Sequence, residues 1–282
     1  MKMIYRQTFQ YERSLYHLLD TFVNECRFEG LLDGESVLKE CRNIEVEKCY
    51  FDLRYPLWHA NKYRISNSTF TSKSRAPIWY CEDGVITDSH IYGVKAVREC
   101  NHIQIFNSEI ISTEFGWKSK DIKINDSSVI SEYLFLDSKD IEINHINFKG
   151  KYSFQYVDNV VIRDSNLDTK DAFWHSHHVT VINSVIKGEY LGWFSDGLTL
   201  INCKIIGTQP LCYCKNLKLI NCEMINCDLS FEYSEVEASI IGHVDSIKNP
   251  KSGHITLDSV GSIIRSDSIM ESDTVISINN KI

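Results

Sequence analysis

The chain has 282 residues, of which 43% are hydrophobic, and a formal net charge of −8 at pH 7. That charge argues against a nucleic-acid partner, since a polyanionic backbone is held by surplus lysine and arginine. No stretch reaches the roughly 18 apolar residues that a membrane-spanning helix needs. Residues 1–6 also lack the apolar run of a secretion signal, so the expected location is cytoplasmic.

Residues 1–30 precede any regular pattern and read as an N-terminal cap and first strands, with a short helix expected over residues 11–19 (YERSLYHLL). Over residues 31–241 a repeat takes over. Small anchor residues fall at Cys49, Ser68, Ser89, Ser108, Ser127, Ile146, Ser165, Ser184, Cys203 and Cys222, in steps of 19, 21 and then seven of 19. A fixed period in this range marks a solenoid whose coils bury their apolar side against neighbouring coils.

The columns of this repeat define its strands. Three residues before the anchors stand Val46, Ile65, Ile86, Ile105, Ile124, Ile143, Ile162, Val181, Leu200 and Leu219, and two residues after them stand Phe51, Phe70, Ile91, Ile110, Val129, Phe148, Leu167, Ile186, Ile205 and Met224. Apolar residues alternating with polar ones, many of them β-branched, fit strands and exclude helices. Immediately before the anchors come Asn67, Asp88, Asn107, Asp126, Asp164, Asn183, Asn202 and Asn221. Asn and Asp tolerate left-handed backbone, so this column predicts the corner between two strands, with side chains stacked in a hydrogen-bonded ladder. The fold class is all-β, a single-stranded parallel β-helix of about ten coils. Right-handed winding is expected from the strong bias of parallel crossovers. Residues 242–282 lose the period and read as a C-terminal β cap, making one structural domain overall.

Seven of the ten cysteines fall into columns otherwise held by Ser, Ala or Val. Cys26, Cys49, Cys203 and Cys222 belong to the anchor column, and Cys81, Cys100 and Cys214 to a second small column that continues through Ser119, Ser138, Ser176 and Ser195. They read as small buried thiols, reduced and structural. His175 and His177 share a strand face, but no third ligand accompanies them, so neither a metal site nor a cofactor is expected,.

A third strand follows each anchor, and its contents are unusual: residues 54–59 (RYPLWH), 75–80 (RAPIWY), 170–175 (KDAFWH), 189–194 (EYLGWF), 208–213 (TQPLCY) and 227–232 (CDLSFE). If the small column ending at Cys214 faces inward, the tryptophans follow it, and Asp171, Phe173, His175, Tyr190, Phe194, Gln209, Leu211, Tyr213, Asp228 and Glu232 face out. The opposite parity exposes Lys170, Trp174, Glu189, Trp193 and Phe231, and a bend would mix the two sets. Either way the face interleaves rings with carboxylates. As an enzyme acting on carbohydrate, it would use Asp228 and Glu232 as acid and base, with Asp171, Glu189 and His175 as further catalytic candidates. Asp171 lies three coils from Asp228, roughly 14 Å at strand spacing, too far to be its partner. As a glycan-binding module, it would hold ligand on Trp174, Trp193, Tyr190, Tyr213, Phe173 and Gln209. As a homodimer interface, the same aromatics would pack against a second copy. In the plainest case they are core residues beneath a folded-over loop.

The segments Asp33-Gly34-Glu35-Ser36, Tyr55-Pro56-Leu57-Trp58, Lys170-Asp171-Ala172-Phe173-Trp174, Gly188-Glu189-Tyr190-Leu191, Gly207-Thr208-Gln209-Pro210-Leu211-Cys212-Tyr213 and Phe231-Glu232-Tyr233-Ser234 resemble those of a widespread microbial family of unknown function. Its members are single-domain proteins with the pectin-lyase-like parallel β-helix fold. The resemblance spans essentially the whole chain and implies the fold, without an activity. The polygalacturonase motifs are absent: Gly242-His243-Val244 and Gly253-His254-Ile255 stand beside no acid pair, and no pectate-lyase calcium cluster occurs on one strand face.

Overall fold

The computed structural model describes residues 2–30 and 34–279; Leu31, at the expected start of the coils, and Asp33 lie outside them. Among the described residues there are strands, turns and bends but no helix. They wind as a parallel β-solenoid of about 14 turns. The chain divides into two compact units, residues 1–142 and 143–282.

In the first unit the strands Lys2–Tyr5, Leu19–Asn24, Arg42–Glu47, Asn61–Ser66, Glu82–Thr87, Asn101–Phe106 and Lys120–Asn125 pair in parallel, one per coil. The expected inward columns are in place, with Ile65, Ile86, Ile105, Phe51, Phe70 and Ile91 all buried. The phenylalanines form an internal stack in which the Phe28, Phe51 and Phe70 centroids are 4.6 and 4.5 Å apart.

The second unit repeats the scheme through Asp158–Arg163, His177–Ile182, Thr199–Ile201, Leu217–Ile225, Glu235–Ile241, Ser252–Leu257 and Val275–Ile278. The corner column has positive φ throughout, from 47° at Asn107 to 51° at Asn221. Its side chains form a ladder where Asn202 Nδ2 donates to Asn183 Oδ1 at 3.1 Å and Asn183 Nδ2 to Asp164 Oδ1 at 3.2 Å.

At each corner the strand-to-strand ladder lapses, which would strand a buried N–H. The anchor hydroxyls resolve this. The N–H groups of Cys49, Ser68, Ser89 and Ser108 donate to Oγ of Ser68, Ser89, Ser108 and Ser127 at 3.0–3.2 Å. Each of these hydroxyls then donates to the carbonyl two residues back in its own coil, at 2.7–2.8 Å. In the second unit Ile146 N–H bonds Ser165 Oγ and Ser165 N–H bonds Ser184 Oγ, both at 3.1 Å.

Two expectations about the ends are corrected. Residues 11–18 form a turn, with Arg13 and His17 left-handed, and Leu19 already belongs to a strand. The N–H groups of Arg13, Leu15 and His17 donate to carbonyls of the next coil at 2.9–3.1 Å, an outlet that outcompetes an isolated helix of so few residues. Residues 2–30 are thus ordinary coils. The C-terminal residues also continue the winding, since His243–Lys248 pairs in parallel with Ser259–Ile264 and Ser252–Leu257 with Val275–Ile278. Their coil lengths vary, which erased the period; the count of about ten was low because both ends had been read as caps.

All ten cysteines are buried and unbridged, including Cys41, Cys212 and Cys227, which the columns had not placed. Burial pushes the Cys41, Cys49, Cys212 and Cys227 thiols up to about 12. Thiols so reluctant to ionise are packing groups, not nucleophiles.

Replacing Ser108 by alanine should orphan the Ser89 N–H and lower unfolding free energy by about 1–3 kcal/mol in a urea titration. Ser108→Cys should lose less, because thiols occupy the same column at Cys49 and Cys203. An alanine variant as stable as the wild type would show that the corner bond carries no weight.

Candidate functional site

In the second unit the third side of the coil is a turn that twists at every other residue. Positive φ occurs at Asp171, Phe173 and His175, at Tyr190, Gly192 and Phe194, at Gln209, Leu211 and Tyr213, and at Leu229, Phe231 and Tyr233. The N–H groups of Asp171 and His175 donate forward to the Glu189 and Trp193 carbonyls, while the Phe173 N–H donates back to the Ser153 carbonyl. Entry to the turn is tight. A Cβ on Gly188 would stand 1.4 Å from the Thr169 carbonyl oxygen, and one on Gly207 would stand 2.2 Å from that of Gly188.

This backbone overturns both parities. A pleated strand sends alternate side chains to opposite faces, but alternating handedness breaks that rule. Phe173 and Leu211, expected outside, are 0% exposed, and so is Phe231, which the opposite parity had exposed. Phe173 stacks on Phe154 inside the coil, with centroids 5.1 Å apart, so it is a core residue and not a ligand-stacking ring.

The tryptophans lie half-buried on the outside of the turn. Trp174 and Trp193 are nearly parallel, at 5.4 Å and 4°. Their indole N–H groups donate to the Tyr190 carbonyl at 2.6 Å and the Gln209 carbonyl at 2.8 Å. In the first unit Trp117 makes the same bond to the Tyr133 carbonyl. These three tryptophans therefore staple one coil to the next, whereas the buried indole N–H groups of Trp58 and Trp79 have no acceptor among the described residues.

Beside them runs a ladder of rings, exposed at Tyr156 and Phe194 and half-buried at His175, Tyr213 and Tyr233. Tyr156, His175, Phe194 and Tyr213 stack with centroid spacings of 5.1, 5.0 and 4.8 Å and interplanar angles of 7–11°, and Tyr233 follows at 5.9 Å and 40°. Sequence reasoning found His175 and Tyr213 and passed over Tyr156, although Tyr156 lies one 19-residue step before His175. A shorter version in the first unit stacks His59 on Tyr80 at 5.1 Å, with Trp58 on Trp79 at 5.6 Å.

The carboxylates each have a separate engagement. Glu232 pairs with Lys248 at 3.0 Å, and Lys248 also meets Asp267 at 3.2 Å. Asp228 accepts the Thr208 hydroxyl. Glu189 pairs with Lys170 at 2.8 Å, and the Lys170 ammonium lies 5.3 Å from the Tyr190 ring centroid. Asp171, expected to face outward, is buried, at 7% exposure. Burial raises its carboxyl above the ordinary range, with Lys170 opposing the shift and Glu189 adding to it. Lys248 comes from a C-terminal coil without the 19-residue period, so no sequence signal pointed to it. Among the described residues no group of three or more His, Cys, Asp or Glu side chains is placed to hold a metal ion.

Two outcomes follow from this placement. Phe173→Ala should lower stability by about 3–5 kcal/mol, as for other buried phenylalanines, whereas Phe194→Ala should have a far smaller effect in the same melt. Asp171 has a folded-state pKa above its unfolded value, so its contribution is fully present at acid pH and is lost as pH rises through the folded pKa,. Asp171→Asn should thus raise the melting temperature at neutral pH, with the gain vanishing in acid; an equal gain at both would exclude the charge as its cause.

No curated protein matches the chain. Among solved structures it is similar to the A-module of the mannuronan C-5 epimerase AlgE6 of Azotobacter vinelandii, at 9% identity over 94% of this chain and 92% of that one, with a TM-score of 0.46. It is similar also to PfbA, a surface adhesin of Streptococcus pneumoniae, at 11% identity over 92% and 74% with a TM-score of 0.37. Tailspike protein 3 of bacteriophage CBA120 aligns at 9% identity over 99% and 50%, with a TM-score of 0.30. Likenesses at these scores carry no functional argument. Residues 2–278 match the family described as "Protein of unknown function (DUF3737)", and the chain belongs to that family.

Proposed function

We propose that the aromatic face of the second unit is a self-association surface, through which two copies of the chain meet about a two-fold axis. The observation that carries this reading is the orientation of the rings. Tyr156, His175, Phe194 and Tyr213 cover one another's faces, so edges and polar tips point outward. A sugar ring needs an open aromatic face to lie on, whereas a protein surface packs well against edges. Exposure peaks at Tyr156 and Phe194, 55% and 42%, with His175 and Tyr213 half-buried in the same row, and apolar rings reaching solvent at successive coils favour a protein partner. The neighbouring charges come in both signs, as Lys170 with Glu189 and Lys248 with Glu232. Such a face meets its own copy without net repulsion. Ten buried thiols suit a reducing compartment,, in keeping with a cytoplasmic setting.

The catalytic alternative, a carbohydrate-active enzyme, rests on Asp171 as the one carboxyl of the face that burial keeps protonated to higher pH,. Loss of turnover on a polysaccharide in Asp171→Asn, with oligomeric state unchanged, would favour that alternative.

Light scattering across a concentration series should give the mass of a dimer for the wild type. Phe194→Glu and Tyr213→Glu should each give a monomer with little change in melting temperature. A monomeric wild type, or a dimer that survives both substitutions, would remove the reading.

A further inference from the structure

On another side of the second unit, the corner column carries three amides in succession: Asn183, Asn202 and Asn221. Elsewhere the column is interrupted by acids, as at Asp88, Asp126 and Asp164. All three are exposed and left-handed, with φ of 50°, 51° and 51°. The bonds from Asn202 to Asn183 and from Asn183 to Asp164 run in one direction. Each amide has two N–H donors and two acceptor lone pairs; Asn183 uses one of each, Asn202 uses one donor, and the Asn221 Oδ1 meets the Ser239 hydroxyl at 3.5 Å. A donor and an acceptor therefore remain side by side on every rung, repeating at the strand spacing of roughly 4.8 Å.

The coil that follows leaves a hollow beside this ladder. Glu235–Ile241 runs with no left-handed residue between Tyr233 and Gly242, so it projects no corner of its own. Its register against Leu217–Ile225 slips between Leu219 and Cys222. Ser239 then falls beside Asn221, and its Oγ accepts the Asn221 N–H at 2.9 Å. The step between the projecting amides and the flat coil borders an open surface hollow of about 530 Å³, lined in part by the three asparagines with Lys204, Glu223 and Ile241.

The lining selects a ligand class. Lys204 is paired with Glu223 at 3.2 Å, so the hollow offers no uncompensated charge to an ion. An apolar ligand would leave the free amide groups without partners, at a penalty for each. Hydroxyl groups, which donate and accept at once, match the paired amide valences, and Ile241, 48% exposed, offers an apolar flank for ring carbons. We propose that this hollow binds a neutral oligosaccharide, its hydroxyls bonded to Asn183, Asn202 and Asn221.

The test is a titration of the full chain with maltotriose, cellotriose and chitotriose at millimolar concentration, read by the side-chain amide resonances of the three asparagines. At least one sugar should shift them and raise the melting temperature. Asn202→Gly should weaken that binding by about tenfold or more, equivalent to about 1.4 kcal/mol, and should fold normally because glycine is at ease with the positive φ. Asn202→Asp keeps the corner but removes the donors and should weaken binding as well. Phe194→Glu should leave sugar binding unchanged, which separates this site from the aromatic face. No amide shift with any of the three sugars would overturn the proposal, as would undiminished binding in both Asn202 variants. Preferential binding of inorganic phosphate would overturn the choice of a neutral ligand.

Discussion

A strand that turns sharply once per coil leaves a backbone N–H inside the wall at every turn. Leaving such a group unpaired costs about 1–3 kcal/mol, and the loss would recur in coil after coil. A side chain small enough for the corner and able both to accept that N–H and to donate onward removes the problem. Serine does this at Ser68, Ser89, Ser108 and Ser127. Cysteine fits the same volume and can play the same part: the Cys49 Sγ accepts the Cys26 N–H at 3.4 Å, and the Cys203 thiol reaches the Ile201 carbonyl two residues back as well as Val181 one coil back, both at 3.3 Å. The anchor bond holds the corners in register even across a longer coil, as from Ser68 to Ser89, 21 residues apart. Where the corner disappears, in Glu235–Ile241, the coil length drifts.

The same accounting explains the third side of the coil. A regular strand there would present every backbone group sideways and alternate its side chains. The twisting turn instead sends N–H groups forward and back in turn, as Asp171, Phe173 and His175 do. It drives Phe173, Leu211 and Phe231 inward and lets His175, Phe194 and Tyr213 form a row outside. Trp174 and Trp193 belong to this arrangement because the indole N–H of each reaches a carbonyl of the adjacent coil.

Legibility followed the physics of each element. Inward columns such as Ile65, Ile86 and Ile105 were readable because burial imposes one residue class at a fixed spacing, and the corners were readable because few side chains tolerate positive φ. The terminal coils were hidden because their lengths vary while their pairing does not. The parity of the third side could not be read, since parity presumes a pleat. Left-handed φ at Phe173, Phe194 and Leu211 contradicts what those residue types favour in isolation. The partners of the candidate carboxylates were equally hidden. Lys248 reaches Glu232 from a coil without the repeat, and Thr208 reaches Asp228 from the coil before.

A solenoid also constrains how function is acquired. Because each coil contacts only its neighbours, a surface feature takes the form of a column, one residue per coil, and a change in one column leaves the core untouched. The ring ladder from Tyr156 to Tyr213 and the amide ladder from Asn183 to Asn221 are both such columns, on different sides of the same coils. The ring column is stabilised by contacts between its own rungs, and in the amide column Asn202 bonds Asn183 while Asn221 bonds Ser239 of the next coil. An isolated tyrosine or asparagine on this surface would be unremarkable, whereas an uninterrupted row becomes an oriented array. What deserves functional weight in this fold is therefore the run of like residues along the winding, together with the break in the winding that gives the run an edge. Both conditions meet where the three asparagines stand against the cornerless coil.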